Sequence, residues 1–207
     1  MNKRSVSYVC ILMILAVLLL SCKRKEERPA GQVSNLYTTE SVYGEIKKKI
    51  QENPDDPELW YHLADLHERN AQYKDEVEAL KRVVELKPDK GYAYLKMGTA
   101  YNQLGQHKEA IDAFKKAIRY MPDYAVAYNN LAIAYGKLGL VDDEIASLKK
   151  AIKLRPRYAI ARYNLGMAYL KKGNKREALQ EYNELKNIDQ GLAEALIKEI
   201  DERRAKG

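Results

Sequence analysis

PDKGYAYLKMGTAYNQLGQHKEAIDAFKKAIRYM, Pro88 to Met121, runs directly into PDYAVAYNNLAIAYGKLGLVDDEIASLKKAIKLR, Pro122 to Arg155, and 13 of 34 aligned positions are identical. The shared positions include Ala93/Ala127, Tyr94/Tyr128, Tyr101/Tyr135 and Gly105/Gly139, with the run KKAI at 115 and again at 149. Working outward, Pro54 and Pro156 fall one period before and one after, so four prolines stand 34 residues apart. A fixed internal period of this size marks stacked supersecondary units, none of which can bury its apolar face alone.

Each unit reads as two amphipathic helices. Tyr94, Met97, Gly98 and Tyr101 recur at three and four residues, as one face of a helix requires. Gly105 interrupts the pattern, and a second face follows with Ala110, Ile111, Phe114, Ala117 and Ile118. Pro122 then ends the second helix, because it has no N–H to donate and clashes with the preceding turn. Gly98, Ala110 and Ala117 let neighbouring helices approach closely, while Tyr94, Tyr101 and Phe114 fill the space between them.

The order W-x2-L-G-x2-Y, then A-x3-F, an alanine and a proline over 34 residues is met by Trp60, Leu63 and Pro88 and by Gly98, Tyr101, Ala110, Phe114, Ala117 and Pro122. Leu131, Tyr135, Ala151 and Pro156 continue it, as do Leu165, Gly166, Tyr169 and Ala178. On these residues the chain resembles the tetratricopeptide repeat (TPR) family. The resemblance implies an all-α, right-handed solenoid of four helix-turn-helix units at 54–87, 88–121, 122–155 and 156–189. An N-terminal capping helix at 40–53 would pack through Ile46 and Ile50, and a solvating helix at 190–207 through Leu192, Leu196 and Ile200. The pattern departs at His67, which replaces a tyrosine, at Glu76 and Glu144, which occupy an alanine position, and at Arg162, Leu185 and Gln190 in the last unit. Terminal repeats are commonly atypical because each must end the stack.

Ahead of the repeats, Lys3 and Arg4 precede an uncharged stretch from Ser5 to Ser21, whose apolar part, Tyr8 to Leu20, falls short of the ~20 residues of a spanning helix. A basic start, a short apolar run and a small residue form a signal-peptide layout, here at 1–21. Leu19-Leu20-Ser21-Cys22 resembles the lipobox of bacterial lipoproteins, which implies that Cys22 carries acyl chains such as palmitate and that 22–39 is a flexible tether. Lys23 after the cysteine, where aspartate would retain a lipoprotein at the inner membrane, points to the bacterial envelope at the periplasmic face of the outer membrane. The alternative is an uncleaved signal anchor with repeats facing the cytoplasm.

The 207 residues carry a formal charge of +7. Cys10 and Cys22 are the two cysteines, so the repeats contain neither a disulfide framework nor a cysteine metal site. There is no P-loop, dinucleotide turn, H-E-x-x-H or G-x-S-x-G in the sequence. His62 and His67 lie roughly 140° apart around one helix, poor geometry for a shared metal, and His107 falls in a distant turn. The expectation is therefore a non-enzyme with no cofactor and no metal.

In the family the first helix of each unit lines the concave side. Carried over, the partner-binding groove comprises Tyr61 and Asp65, then Tyr92, Leu95 and Thr99, then Asn129, Asn130 and Ile133, then Tyr163, Asn164 and Met167. Asn130 and Asn164 stand one period apart, and an amide that donates and accepts can hold the backbone of an extended peptide. Charge divides the chain: residues 52–79 hold nine acids and two bases, residues 149–176 ten bases and no acid. The basic edge comprises Lys149, Lys150 and Lys153 on an outer helix, Arg155 and Arg157 at a junction, and Lys171, Lys172, Lys175 and Arg176 in a turn. A solvated face, a contact for an acidic partner or anionic lipid, and head-to-tail pairing all remain open readings of it. A nucleic-acid module is disfavoured, since this edge shows no interleaved aromatics. The function expected is a membrane-anchored scaffold whose groove takes a protein or extended peptide, with the oligomeric state left open.

Overall fold

The computed structural model describes residues 39–205, with side chains described for 41–203. The expected signal peptide at 1–21, Cys22 and all but the last residue of the tether lie outside the described residues. The chain divides into two units, Met1–Val42 and Tyr43–Gly207. Of the first, only the opening turn of α1 (Thr39–Glu52) is described; the helix stack belongs to the second.

Four helix pairs follow α1: α2 (Pro57–Arg69) with α3 (Tyr73–Leu86), α4 (Gly91–Gln103) with α5 (His107–Tyr120), α6 (Ala125–Lys137) with α7 (Val141–Leu154), and α8 (Ala159–Lys171) with α9 (Lys175–Leu185). The tenth described helix is α10 (Gln190–Ala205), and among the described residues there is no strand. The described residues form an all-α solenoid, in which each pair packs on the next.

Local chemistry sets the boundaries. Asp56 caps α2, its carboxylate accepting from Glu58 N at 2.9 Å, and Pro57 opens the helix where a missing N–H costs nothing. Between the two helices of a pair the chain reverses through one left-handed residue: Gly105, Gly139 and Gly173 have φ of 73°, 73° and 83°. Ala71 takes the same place in the first pair with φ 53°, where its Cβ is strained.

Small residues then decide how closely the helices stack. A Cβ on Gly98 would lie 2.5 Å from the Phe114 ring, so the fully buried phenylalanine of α5 rests on bare backbone of α4. A Cβ on Gly166 would lie 2.5 Å from Leu196, so α10 leans on α8 in the same manner. Ala193, Leu196 and Ile200 of α10 are buried in the core of the last pairs, while Ile50 of α1 is buried beside Leu63 in that of the first. Burial of each such Leu or Ile contributes about 1.5–3 kcal/mol, which is why exposed ends need a cover.

Candidate functional site

The first helices α4, α6 and α8 present three parallel rows. One runs Tyr92, Val126, Ile160, and the first and last of these are 52% and 53% exposed. Another runs Thr99, Ile133, Met167, with Ile133 exposed and the other two half-buried. Lys96, Asn130 and Asn164 stand between them. The result is a polar stripe flanked by apolar side chains.

Of the expected groove residues, Thr99, Asn130 and Ile133 meet in one pocket of about 440 Å³ between the second and third pairs. Four further wall residues, Asn102, Gln103, His107 and Lys137, line it too. The sequence did hold a signal for three of them: Asn102 and Gln103 follow Thr99 at three and four residues, and Lys137 follows Ile133 at four, on one helix face. His107 comes from the next helix and donates through Nδ1 to Asn102 Oδ1 at 3.0 Å, a contact no spacing shows.

Asn129 departs from expectation. It is 3% exposed and therefore no open wall residue. Its Oδ1 accepts from Asn164 Nδ2 at 3.0 Å, and its own Nδ2 donates to Asn130 Oδ1 at 3.3 Å. Burial of an amide requires such partners. The chain of three leaves the Asn130 Nδ2 donor and the Asn164 Oδ1 acceptor without partners among the described residues. Leu95 packs against the cores of the first two pairs, and Tyr163 and Met167 against that of the last two, so these three are wall and core at once.

At the other end the acidity is largely answered within the wall. Lys90 bonds Glu58, and Lys96 pairs with Glu68 and, at 2.9 Å, with Asp65. The two ammoniums flank Tyr61, 4.6 Å and 5.8 Å from its ring centroid. Burial alone would pull the Lys96 ammonium down, but the bonds from Glu68 and Asp65 outweigh it and hold it above the ordinary lysine range. Behind this cluster Glu76 is 2% exposed. Burial pushes its carboxyl up to about 7, the neighbouring Glu68 and Asp65 adding to the shift and Lys96 opposing it.

The basic edge is mostly engaged. Lys171 donates to both Glu144 oxygens at 2.8 and 3.0 Å, and Lys172 pairs with Asp142. Arg157 donates to the Asn187 carbonyl at 3.3 Å, Lys175 donates to that of Arg203 at 3.4 Å, and Arg155 lies over Tyr158 at 5.1 Å. Lys171 ends α8 and Lys175 and Arg176 open α9, so the turn proper is 172–174. Lys153 and Arg176 have no partner among the described residues. The expectation that this edge lacks aromatics is corrected: Lys149 lies 5.8 Å from the Tyr169 centroid and Lys150 the same from Tyr128. Sequence distance hid this, since each ring comes from a different helix.

Profiles of the "TPR repeat" family match residues 98–139 and 145–173, and those described as "Tetratricopeptide repeat" match 57–90, 125–158 and 161–189. This is a TPR protein. Among solved structures, the TPR chain is similar to MamA, at 27% identity and a TM-score of 0.69 over 82% of this chain and 92% of that one. It is also similar to MamA of Desulfovibrio magneticus RS-1, at 21% identity and a TM-score of 0.70 over 74% of this chain and 86% of that one. YrrB, described as a TPR protein with an unusual peptide-binding site, shares 20% identity at a TM-score of 0.69, over 77% of this chain and 84% of its own. The last two likenesses are likenesses of fold. No curated protein matches the chain significantly. A TPR solenoid suggests a protein-interaction scaffold, and TPR scaffolds are typically non-enzymatic.

Proposed function

We propose that the protein is a membrane-anchored scaffold that holds an extended segment of a partner protein along its inner wall, in a bacterial envelope assembly. The observation that carries this reading is the polar stripe at Asn130 and Asn164. It offers one open donor and one open acceptor a repeat apart, flanked by Tyr92, Val126 and Ile160 on one side and Ile133 and Met167 on the other. An extended chain sends successive side chains to opposite sides. Its backbone would follow the amides while its side chains enter the two apolar rows alternately, the apolar contacts giving affinity and the amides register. YrrB supports the idea that this fold can carry a peptide-binding site.

The anchor rests on sequence: Cys22 after Leu19-Leu20-Ser21 in a lipobox-like context, and Lys23 behind it, favour lipid attachment and the outer membrane. A photo-crosslinking residue placed at Ile133 in the living cell should capture a partner, and one placed at the exposed Gln180 of α9 should not capture the same one. Capture from Gln180 alone would remove the groove from the account. For the anchor, Cys22→Ala should abolish incorporation of a clickable fatty acid, and undiminished labelling would refute it.

A further inference from the structure

The second helices of the first three units carry a periodic pair of cations, Lys81/Arg82, Lys115/Lys116 and Lys149/Lys150. In the first unit both are answered in their own helix: Lys81 pairs with Glu78 at 2.6 Å and Arg82 with Glu85. The equivalents of Glu78 are Asp112 and Ala146; those of Glu85 are Arg119 and Lys153. One acid is a methylene shorter, one is lost, and two have become cations. Accordingly none of Lys115, Lys116, Lys149 and Lys150 forms an ion pair among the described residues.

They are nevertheless held. Lys115 lies over Tyr135 and Lys149 over Tyr169, each reaching forward to the next unit at 5.8 Å. Lys116 lies over Tyr94 at 5.6 Å and Lys150 over Tyr128 at 5.8 Å, each reaching back within its own unit. Each ring fixes a lysine stem that would otherwise have to be ordered on binding, and leaves its ammonium donors for a ligand.

We infer that the outer face of α5 and α7 is a second interaction surface, built to receive a carboxylate-rich segment of another polypeptide. The first unit shows what these positions bind, since there the same cations hold glutamates supplied in cis; around the second unit's Lys116, Glu85, Glu109 and Asp112 line one pocket with it without pairing with it, so the carboxylates that answer these lysines come in trans. The fourth unit has no such cations: Asn183 and Glu184 stand at the places of Lys149 and Lys150, and Glu184 answers Arg162. A single-stranded nucleic acid fits less well, because it needs free ring faces for its bases. Here the lysines cover those faces, and Tyr94 and Tyr169 are themselves buried. The surface is separate from the inner wall and stands or falls without it.

The test uses the full-length chain in neutral detergent micelles and a fluorescent peptide of alternating glutamate and alanine, in about 50 mM salt so that screening stays weak. The peptide should bind. Replacing Lys115, Lys116, Lys149 and Lys150 together by Gln should weaken binding about tenfold or more, and the matching set of Lys→Arg replacements should retain it. A second variant keeps every lysine and ring: Ala146→Glu with Lys153→Glu rebuilds in the third unit the acids of the first, and should weaken the peptide by occupying Lys149 and Lys150 in cis. Unchanged binding in both the Gln set and this variant would overturn the inference. So would displacement of the peptide by phosphatidylglycerol-doped micelles or single-stranded DNA at a lower charge concentration than unlabelled peptide requires.

Discussion

In the first helix pair Trp60 donates through Nε1 to the Pro54 carbonyl at 2.7 Å, and Arg82 of the second helix lies 5.8 Å from its ring centroid. In the fourth pair Arg162 stands at the same place and donates through Nε to the Pro156 carbonyl at 3.0 Å. Its guanidinium then reaches Glu181 at 2.9 Å and Glu184 at 3.4 Å on the second helix. Both bonds span six residues and tie the start of a unit to its leading proline. In these two pairs the slot holds a flat group with a donor at that reach, and the cation stands on either helix, opposite a ring or a carboxylate that meets it. A residue that breaks the repeat consensus can therefore keep the repeat geometry.

The two solutions differ in what their loss exposes. Glu181 is only 15% exposed, and burial pushes its carboxyl up despite Arg162. Arg162→Ala should thus cost about 3 kcal/mol, by leaving that carboxylate unpaired as well as the Pro156 carbonyl. Trp60→Ala should cost nearer 2 kcal/mol, since its ring is half-buried and its loss orphans no charge. Urea unfolding orders the two, and a larger loss at Trp60 would break the comparison. Converting the fourth slot to the chemistry of the first, Arg162→Trp with Glu181→Ala and Glu184→Arg, should recover most of the deficit.

A second contrast lies between Glu76 and Glu144, one acid at the same repeat position in the first and third units. Glu144 is 5% exposed, meets Lys171, and fits over Gly136, whose absent Cβ would lie 2.7 Å from its carboxylate. Glu76 has no salt bridge among the described residues, because Lys96 is taken by Asp65 and Glu68. Its folded-state pKa of about 7 exceeds the ordinary 4.5, so between these values the folded chain binds the extra proton. Stability must then fall as pH rises through that window, by something on the order of 2 kcal/mol. Glu76→Gln should flatten this slope and raise stability at pH 8. Glu144→Gln should instead lower stability at neutral pH by about 1 kcal/mol through loss of the Lys171 pair. Melting curves across pH, read for both variants, sharpen the contrast if the signs differ and dissolve it if they agree.

The smallest effect is expected at Ala71. Gly stands at its place in the other three units, so Ala71→Gly should relieve left-handed strain and stabilise by up to about 1 kcal/mol, partly offset by added freedom in the unfolded chain. An unaltered urea midpoint would mean that the turn relaxes around the methyl.

Much of the fold was legible. The 34-residue spacing of Pro54, Pro88, Pro122 and Pro156, and the three-and-four spacing around Tyr94 and Phe114, specify helix pairs and their stacking without reference to distant contacts. The rows were legible from the repeat, since Tyr92 and Ile160, Thr99 and Ile133, and Asn130 and Asn164 stand whole periods apart. His107 in the pocket and Asn129 beneath the wall were not, because each is decided by a side chain on another helix.

By itself the sequence determined periodicity, helix boundaries and which faces must be covered, since hydrogen bonding, capping and hydrophobic spacing act over a few residues. The tertiary structure alone decided which buried acids are answered. Glu76 and Glu144 are equivalent in sequence register, and the neighbours that stacking brings within a few ångströms give Glu144 a partner in Lys171 and leave Glu76 without one among the described residues.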